Sequence, residues 1–144
     1  MSNIDFSAVL TAQDKAAAHL DLTKMTARSY LKQVLKASVA DRADDVPVAE
    51  QASWPAKALA AQAVSAGTAS EEQIAMLTIE AEVTGESLAD LAASILAKSA
   101  ISAGHVARLT GLRRRAQRRI DAATDPTEVE AALDAISSAL AGKR

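Results

Sequence analysis

The chain has no cysteine, three prolines, five glycines, and one each of tryptophan, tyrosine and phenylalanine in 144 residues. Each shortage excludes something. Without cysteine there is no disulfide, no thiol nucleophile and no thiolate metal site. No glycine-rich stretch is built to cradle a phosphate. Aromatics make up 2% of the chain, so its 49% apolar content rests largely on alanine. Alanine contributes little buried area, which leaves burial to Leu, Ile and Val at interfaces. No 18-residue apolar run exists, so no membrane span is expected. Met1–Leu10 carries Asp5 and no basic segment, so export by a signal peptide is not expected either.

What is present is helical punctuation. Thr11 with Asp14 reads as an N-cap for a short helix over Ala12–Leu20. Thr23 or Thr26 caps a second helix at about Ala27–Ala40, with Tyr30, Leu31, Val34 and Leu35 turned inward. Asp41–Val48 is a charged loop closed by Pro47. Ser53 caps a third helix with Pro55 in its first turn, and Gly67 ends it. Ser70 with Gln73 forms a capping box for Glu71–Val83, ended by Gly85, with Ile74, Leu77 and Ala81 inward. Ser87 with Asp90 opens the longest stretch, which runs to Thr124. Its apolar positions are Leu88, Leu91, Ile95, Ile101 or Ser102, Val106, Leu109, Leu112, Ala116, Ile120 and Ala123. A helix of about 35 residues is roughly 50 Å long. Gly104 and Gly111 weaken it, and Ile101–Gly104 is where it either continues or breaks into two helices. Asp125, Pro126 and Glu128 then restart a helix at N-cap, N1 and N3, and Val129, Leu133, Ile136 and Leu140 line one side of it. The short connector makes an antiparallel hairpin in which Val129, Leu133 and Ile136 meet Ile120, Ala116 and Leu112.

The expected fold is all-α: a short helical bundle, one long C-terminal helix, a closing helical hairpin and an N-terminal extended arm. The expected organisation is an arm over 1–10 and a single helical domain over 11–144, divided into 11–85 and 86–144.

Net charge is −2, which gives no global attraction to nucleic acid. Its distribution is uneven. Residues 67–100 hold six acidic groups and one basic, whereas residues 101–144 hold eight basic and five acidic. Arg108, Arg114, Arg115, Arg118 and Arg119 share a face of the long helix distinct from the apolar one. One reading is a phosphate-binding stripe. The favoured reading is a solvated or partner-facing stripe, meeting Glu128, Glu130 and Asp134 or an acidic neighbour, because no aromatic interleaves the arginines. Arg113 falls on the apolar side and is expected in a buried or interface ion pair.

His19 and His105 lack metal-ligand spacing and read as surface or edge residues. No carboxylate pair and no histidine base make a catalytic site, so no enzyme activity, no cofactor and no metal are expected. Trp54 reads either as the main bulky core residue or as an interface anchor. Ile4 and Phe6 read as an apolar arm that docks on a neighbour.

Four segments resemble small tail proteins of tailed bacteriophages, among them tail-fibre assembly and tail-associated proteins. They are IDFSAVLTAQDKAAA, WPAKALAAQAV, EAEVTGESLADLAASIL and VARLTGLRRRAQRRIDAAT with its closing helix. The resemblance implies a helical tail accessory protein made in the bacterial cytoplasm and kept in the virion, or one used transiently as an assembly chaperone. It implies partners among other virion or tail proteins, in a homo- or hetero-oligomer, and supplies no catalytic residues. The chain has no β-rich portion of the kind that binds fibres. The structural or adaptor subunit is therefore the first expectation, the assembly chaperone the second, and nucleic-acid binding through the arginines the third.

Overall fold

A computed structural model describes residues 11–40 and 46–142. It contains α1 (Ala12–Ala40), α2 (Val48–Ala66), α3 (Glu71–Thr84), α4 (Leu88–Ala122) and α5 (Pro126–Ala141), and no strand among the described residues. The all-α class is as expected. The arm with Ile4 and Phe6 lies outside the described residues.

Caps explain most of the boundaries. The Asp14 amide donates to Thr11 Oγ1 at 3.0 Å, and the Thr11 amide and hydroxyl donate back to Asp14 Oδ2 at 3.0 and 2.7 Å. The Ser70–Gln73 box is complete in both directions. At α4 the Asp90 amide donates to Ser87 Oγ at 3.1 Å. At α5 the Glu128 amide donates to Asp125 Oδ1 at 2.9 Å, and Glu128 Oε2 accepts from the Thr124 amide at 2.6 Å. Gly67 (φ 71°) and Gly85 (φ 74°) close α2 and α3 in the left-handed conformation, where a side chain is strained.

Two expected starts are wrong. Residues 12–40 form one helix rather than two. The Thr23 and Thr26 hydroxyls donate to the carbonyls of His19 and Leu22, at 2.8 and 3.0 Å, rather than capping a new N-terminus. Helix α2 begins at Val48, not after Ser53. The Gln51 amide closes its first turn on the Pro47 carbonyl at 3.0 Å, and Ser53 Oγ donates to the Glu50 carbonyl. Pro55 is thus inside the helix, where its missing N–H forfeits a bond to the residue 51 carbonyl.

Helix α4 runs unbroken through Ile101–Gly104. Two interior glycines at about 1 kcal/mol each weaken a helix without terminating it, and no proline interrupts this one. Between Leu96 and Leu109 it buries no residue fully, and Ile101 is 66% exposed.

The chain packs as two units, one from α1 (to Ser38) with the stretch from Leu109 onward, the other from Val39 to Arg108. The divisions fall inside α1 and α4, whereas the sequence reading drew its internal line at 85/86. In the first unit Ala27, Leu31 and Leu35 of α1 join Leu109, Ala116 and Ile120 of α4 and Val129, Ala132 and Ile136 of α5, with Leu112, Leu133 and Leu140 at the margin. The expected hairpin residues thus share one core, and α1 completes it. Tyr30, expected inward, is exposed, and Ala27 takes the buried position instead. In the second unit the core is Ala60 and Ala61 of α2, Leu77 and Ala81 of α3, and Leu91 and Ala92 of α4. Ile74, expected inward, is exposed, although it lies on the side of α3 that carries Leu77 and Ala81, one turn nearer the helix start.

Candidate interaction surfaces

The arginines of α4 come first. Arg114, Arg115, Arg118 and Arg119 are all exposed, and so is Arg113. The apolar seam at this level is Leu109, Leu112, Ala116 and Ile120. Arg113 lies at the edge of that arc, and its long stem carries the guanidinium out to water, so it is not in a buried pair. Arg108 is half-buried, already engaged, and belongs to the other unit. The stripe therefore narrows to Arg114, Arg115, Arg118 and Arg119.

Neither these four arginines nor Arg113 makes an ion pair among the described residues, whereas Arg28 pairs with Asp121 and Lys57 with Glu80. The expected pairing with Glu128, Glu130 and Asp134 is not formed. Glu128 turns back to cap Thr124, with Oε2 3.1 Å from the hydroxyl. Arg115 and Arg119 instead flank a shallow crevice with Leu112, Ala116, Ala132, Ala135 and Ile136, where their stems border the seam between α4 and α5.

Other charges of this unit are engaged around Asp121. Arg28 donates to Asp121 Oδ1 through Nη2 at 2.6 Å and Nε at 3.2 Å, and Gln117 Nε2 donates to the same oxygen at 2.9 Å. Lys24 Nζ donates to the Asp121 carbonyl at 2.9 Å, a cation on the C-terminal turn of α4. The Arg28 and Gln117 donors and the neighbouring positive charges hold the Asp121 carboxyl below the ordinary aspartate range. The two Thr11 hydrogen bonds do the same for Asp14. Sequence reasoning missed this clasp between α1 and α4. The 4-residue spacing of Ala27, Leu31 and Leu35 marks a buried face on α1, but nothing local names its partner.

The unit of residues 39–108 carries a different surface. Among the described residues, nine of the twelve exposed large apolar side chains belong to it: Val39, Val48, Trp54, Leu59, Ile74, Ile79, Val83, Ile101 and Val106. Trp54 is 41% exposed and is not the bulky core residue that one reading allowed. Leu77 fills that role, with no exposed surface. Lys57 Nζ meets Glu80 Oε2 at 2.6 Å, tying α2 to α3, while Glu82 faces solvent. His19 is exposed. His105 is half-buried, with an Nε2 that has no hydrogen-bond partner. Among the described residues no group of three His, Asp or Glu side chains is placed to hold a metal ion. No helix among them is long and apolar enough to cross a membrane.

The fold class and the surface are thus those of an all-α chain with exposed apolar residues in one unit and an exposed arginine stripe in the other. Comparison with protein-family models, with curated proteins and with solved structures returned no match.

Proposed function

We propose that the chain is a non-enzymatic structural or adaptor subunit of a larger assembly, binding neighbouring proteins through its surface rather than transforming a substrate. The observation that carries this reading is the unit of residues 39–108. Four of its six core residues are alanines, while nine large apolar side chains stand at its surface. A contiguous exposed apolar patch is the usual mark of a surface that a partner covers, and Ile79 and Val83, one turn apart on α3, stand together at 66% and 85% exposure. The exposed ring of Trp54 suits an interface anchor. The resemblance to tail-associated proteins of tailed bacteriophages supplies the assembly, a virion tail.

Mass spectrometry of purified particles of the phage that encodes the chain tests the reading. The expected result is the chain present in fixed proportion to known tail components. Its absence from particles, together with its presence in infected cells, would assign it instead to transient assembly of the tail or its fibres.

A further inference from the structure

We propose that the arginine stripe of one copy docks on the outer face of α3 of a second copy, so that the chain associates with itself head to tail. The inference rests on the adaptor reading and names one of the partners. Arg114, Arg115, Arg118 and Arg119 place four cations within six residues of α4, all exposed and none paired with a carboxylate among the described residues. The chain is nevertheless net acidic, at −2, so the compensating carboxylates lie elsewhere in it.

Helix α3 carries four of them, Glu71, Glu72, Glu80 and Glu82, while α5 adds the exposed Glu130 and Asp134. Helix α3 contains no lysine or arginine. Opposite its buried Leu77 and Ala81 it presents Glu71, Glu72 and Glu82 around two of the most exposed apolar side chains in the protein, Ile79 at 66% and Val83 at 85%. Glu80 is on another side of the helix and is satisfied by Lys57. The two faces complement each other in kind. Arg114 and Arg118 are spaced i, i+4, as are Ile79 and Val83, so each pair rises about 6 Å along its helix. Arginine stems can cover the apolar pair while the guanidinium forks reach the flanking carboxylates.

A second copy is favoured over nucleic acid on two grounds. A net negative chain is repelled by a polyanion at long range. No aromatic residue lies within the stripe to stack on bases. The two docking faces are different patches of the same chain, so the contact is heterologous and propagates unless a rotation closes it. One helix face against another falls well short of the roughly 1,600 Å² of a standard interface. Association is therefore weak, salt-sensitive and visible at high concentration.

Sedimentation equilibrium of the full chain, at low and high salt, tests this. The wild type should associate beyond dimer at low salt and dissociate at high salt. Two double variants, Arg114→Glu with Arg118→Glu and Glu72→Arg with Glu82→Arg, should each weaken association by at least about tenfold while keeping wild-type helicity by circular dichroism. Mixing them should restore association, because one keeps the native acidic face and the other the native stripe. A wild type that stays monomeric at low salt, or variants that associate as well as it does, would overturn the proposal. So would salt-dependent binding of duplex DNA lost only in the arginine variant, with no self-association, which would give the stripe to phosphate. Presence or absence in particles is a separate measurement, so this proposal and the adaptor reading fail independently.

Discussion

The two units are built from the same kind of helix and share α4, yet they place their apolar residues in opposite ways. Among the described residues, the unit of α1 with residues 109–142 turns Leu31, Leu35, Leu109, Ile120, Val129 and Ile136 inward beside four alanines, and Leu22, Met25 and Tyr30 are its exposed large apolar residues. The unit of residues 39–108 buries two leucines among four alanines and leaves nine large apolar residues outside. Burial scales with apolar area removed from water. The first unit thus draws its stability from its own core. The second buries fewer large side chains fully and relies more on the partly buried Val64, Met76, Leu88, Ile95 and Leu96 around its core.

The largest test of that contrast is truncation in each core. Leu77 and Ile120 are both fully buried. Leu77→Ala and Ile120→Ala should each cost about 2–5 kcal/mol. The contrast predicts an asymmetry on top of this. Leu77 is the one large side chain with no exposure in its cluster, so Leu77→Ala should abolish amide protection throughout α2 and α3. Ile120→Ala leaves Val129 and Ile136 in place and should lower protection in its unit without erasing it. Hydrogen exchange read by mass spectrometry separates the two. Equal, global loss of protection in both variants would mean that the units unfold as one.

Backbone caps carry the next effect. Gly67 sits at φ 71° with nothing within 4 Å of a built Cβ, so Gly67→Ala meets no steric clash and pays only the conformational cost. That cost is about 1 kcal/mol. The Schellman pair it supports, Gly67 amide to Val64 carbonyl at 3.1 Å and Thr68 amide to Ala63 carbonyl at 2.8 Å, should weaken with it. Thermal melts of the variant should show the loss, and no change at all would remove caps from the account of this unit.

These caps are also the part of the fold that sequence made legible. Thr11/Asp14, Ser70/Gln73, Ser87/Asp90 and Asp125/Glu128 are local devices, and each formed where its residues stand. The failures share a cause as well. Thr23, Thr26 and Ser53 have hydroxyls that either cap a helix or bond back to a carbonyl within one, and composition does not choose between these. Tertiary packing chose: Leu20 borders the core and Ala27 is buried in it, which holds that part of α1 in one helix. At the surface, the arginine stripe was legible from spacing. That Arg114, Arg115, Arg118 and Arg119 form no ion pair among the described residues was not, since Glu128 turns back to Thr124. The exposure of Ile74 and Trp54 was hidden for the same reason, because periodicity marks an apolar residue without saying whether another helix reaches it.

A substitution of opposite sign probes the long helix. Gly104 and Gly111 have nothing within 4 Å of a built Cβ, so no close approach requires glycine at either place. Gly104→Ala should stabilise the chain by about 1 kcal/mol, from helix propensity alone. Gly111→Ala should do the same. If Gly104→Ala instead lowers stability or abolishes binding to a partner, flexibility in the exposed middle of α4 has a use that the propensity argument leaves out. Chemical denaturation of the two alanine variants, read side by side, gives the answer.

The smallest expected effect is a difference in acid sensitivity. In the α1-containing unit, Asp121 and Asp14 are both held below the ordinary aspartate range, by Arg28 with Gln117 and by Thr11 respectively. A carboxyl with a depressed folded-state pKa favours the folded chain when ionised. Its contribution is fully present above the unfolded value and is lost as pH falls through the folded one. The window is therefore acidic, below about pH 4. Both groups are exposed and screened, so the effect is small. Thermal melts of the wild type should decline across that window, and Asp121→Asn should flatten the decline by removing the carboxylate on which Arg28 and Gln117 converge. Hydrogen exchange across the same window should place the extra opening in the C-terminal turn of α4 and the adjoining part of α1. An equal loss of protection in α2 and α3 would show that acid acts on the whole chain, and the Asp121 clasp would then not be what distinguishes the two units.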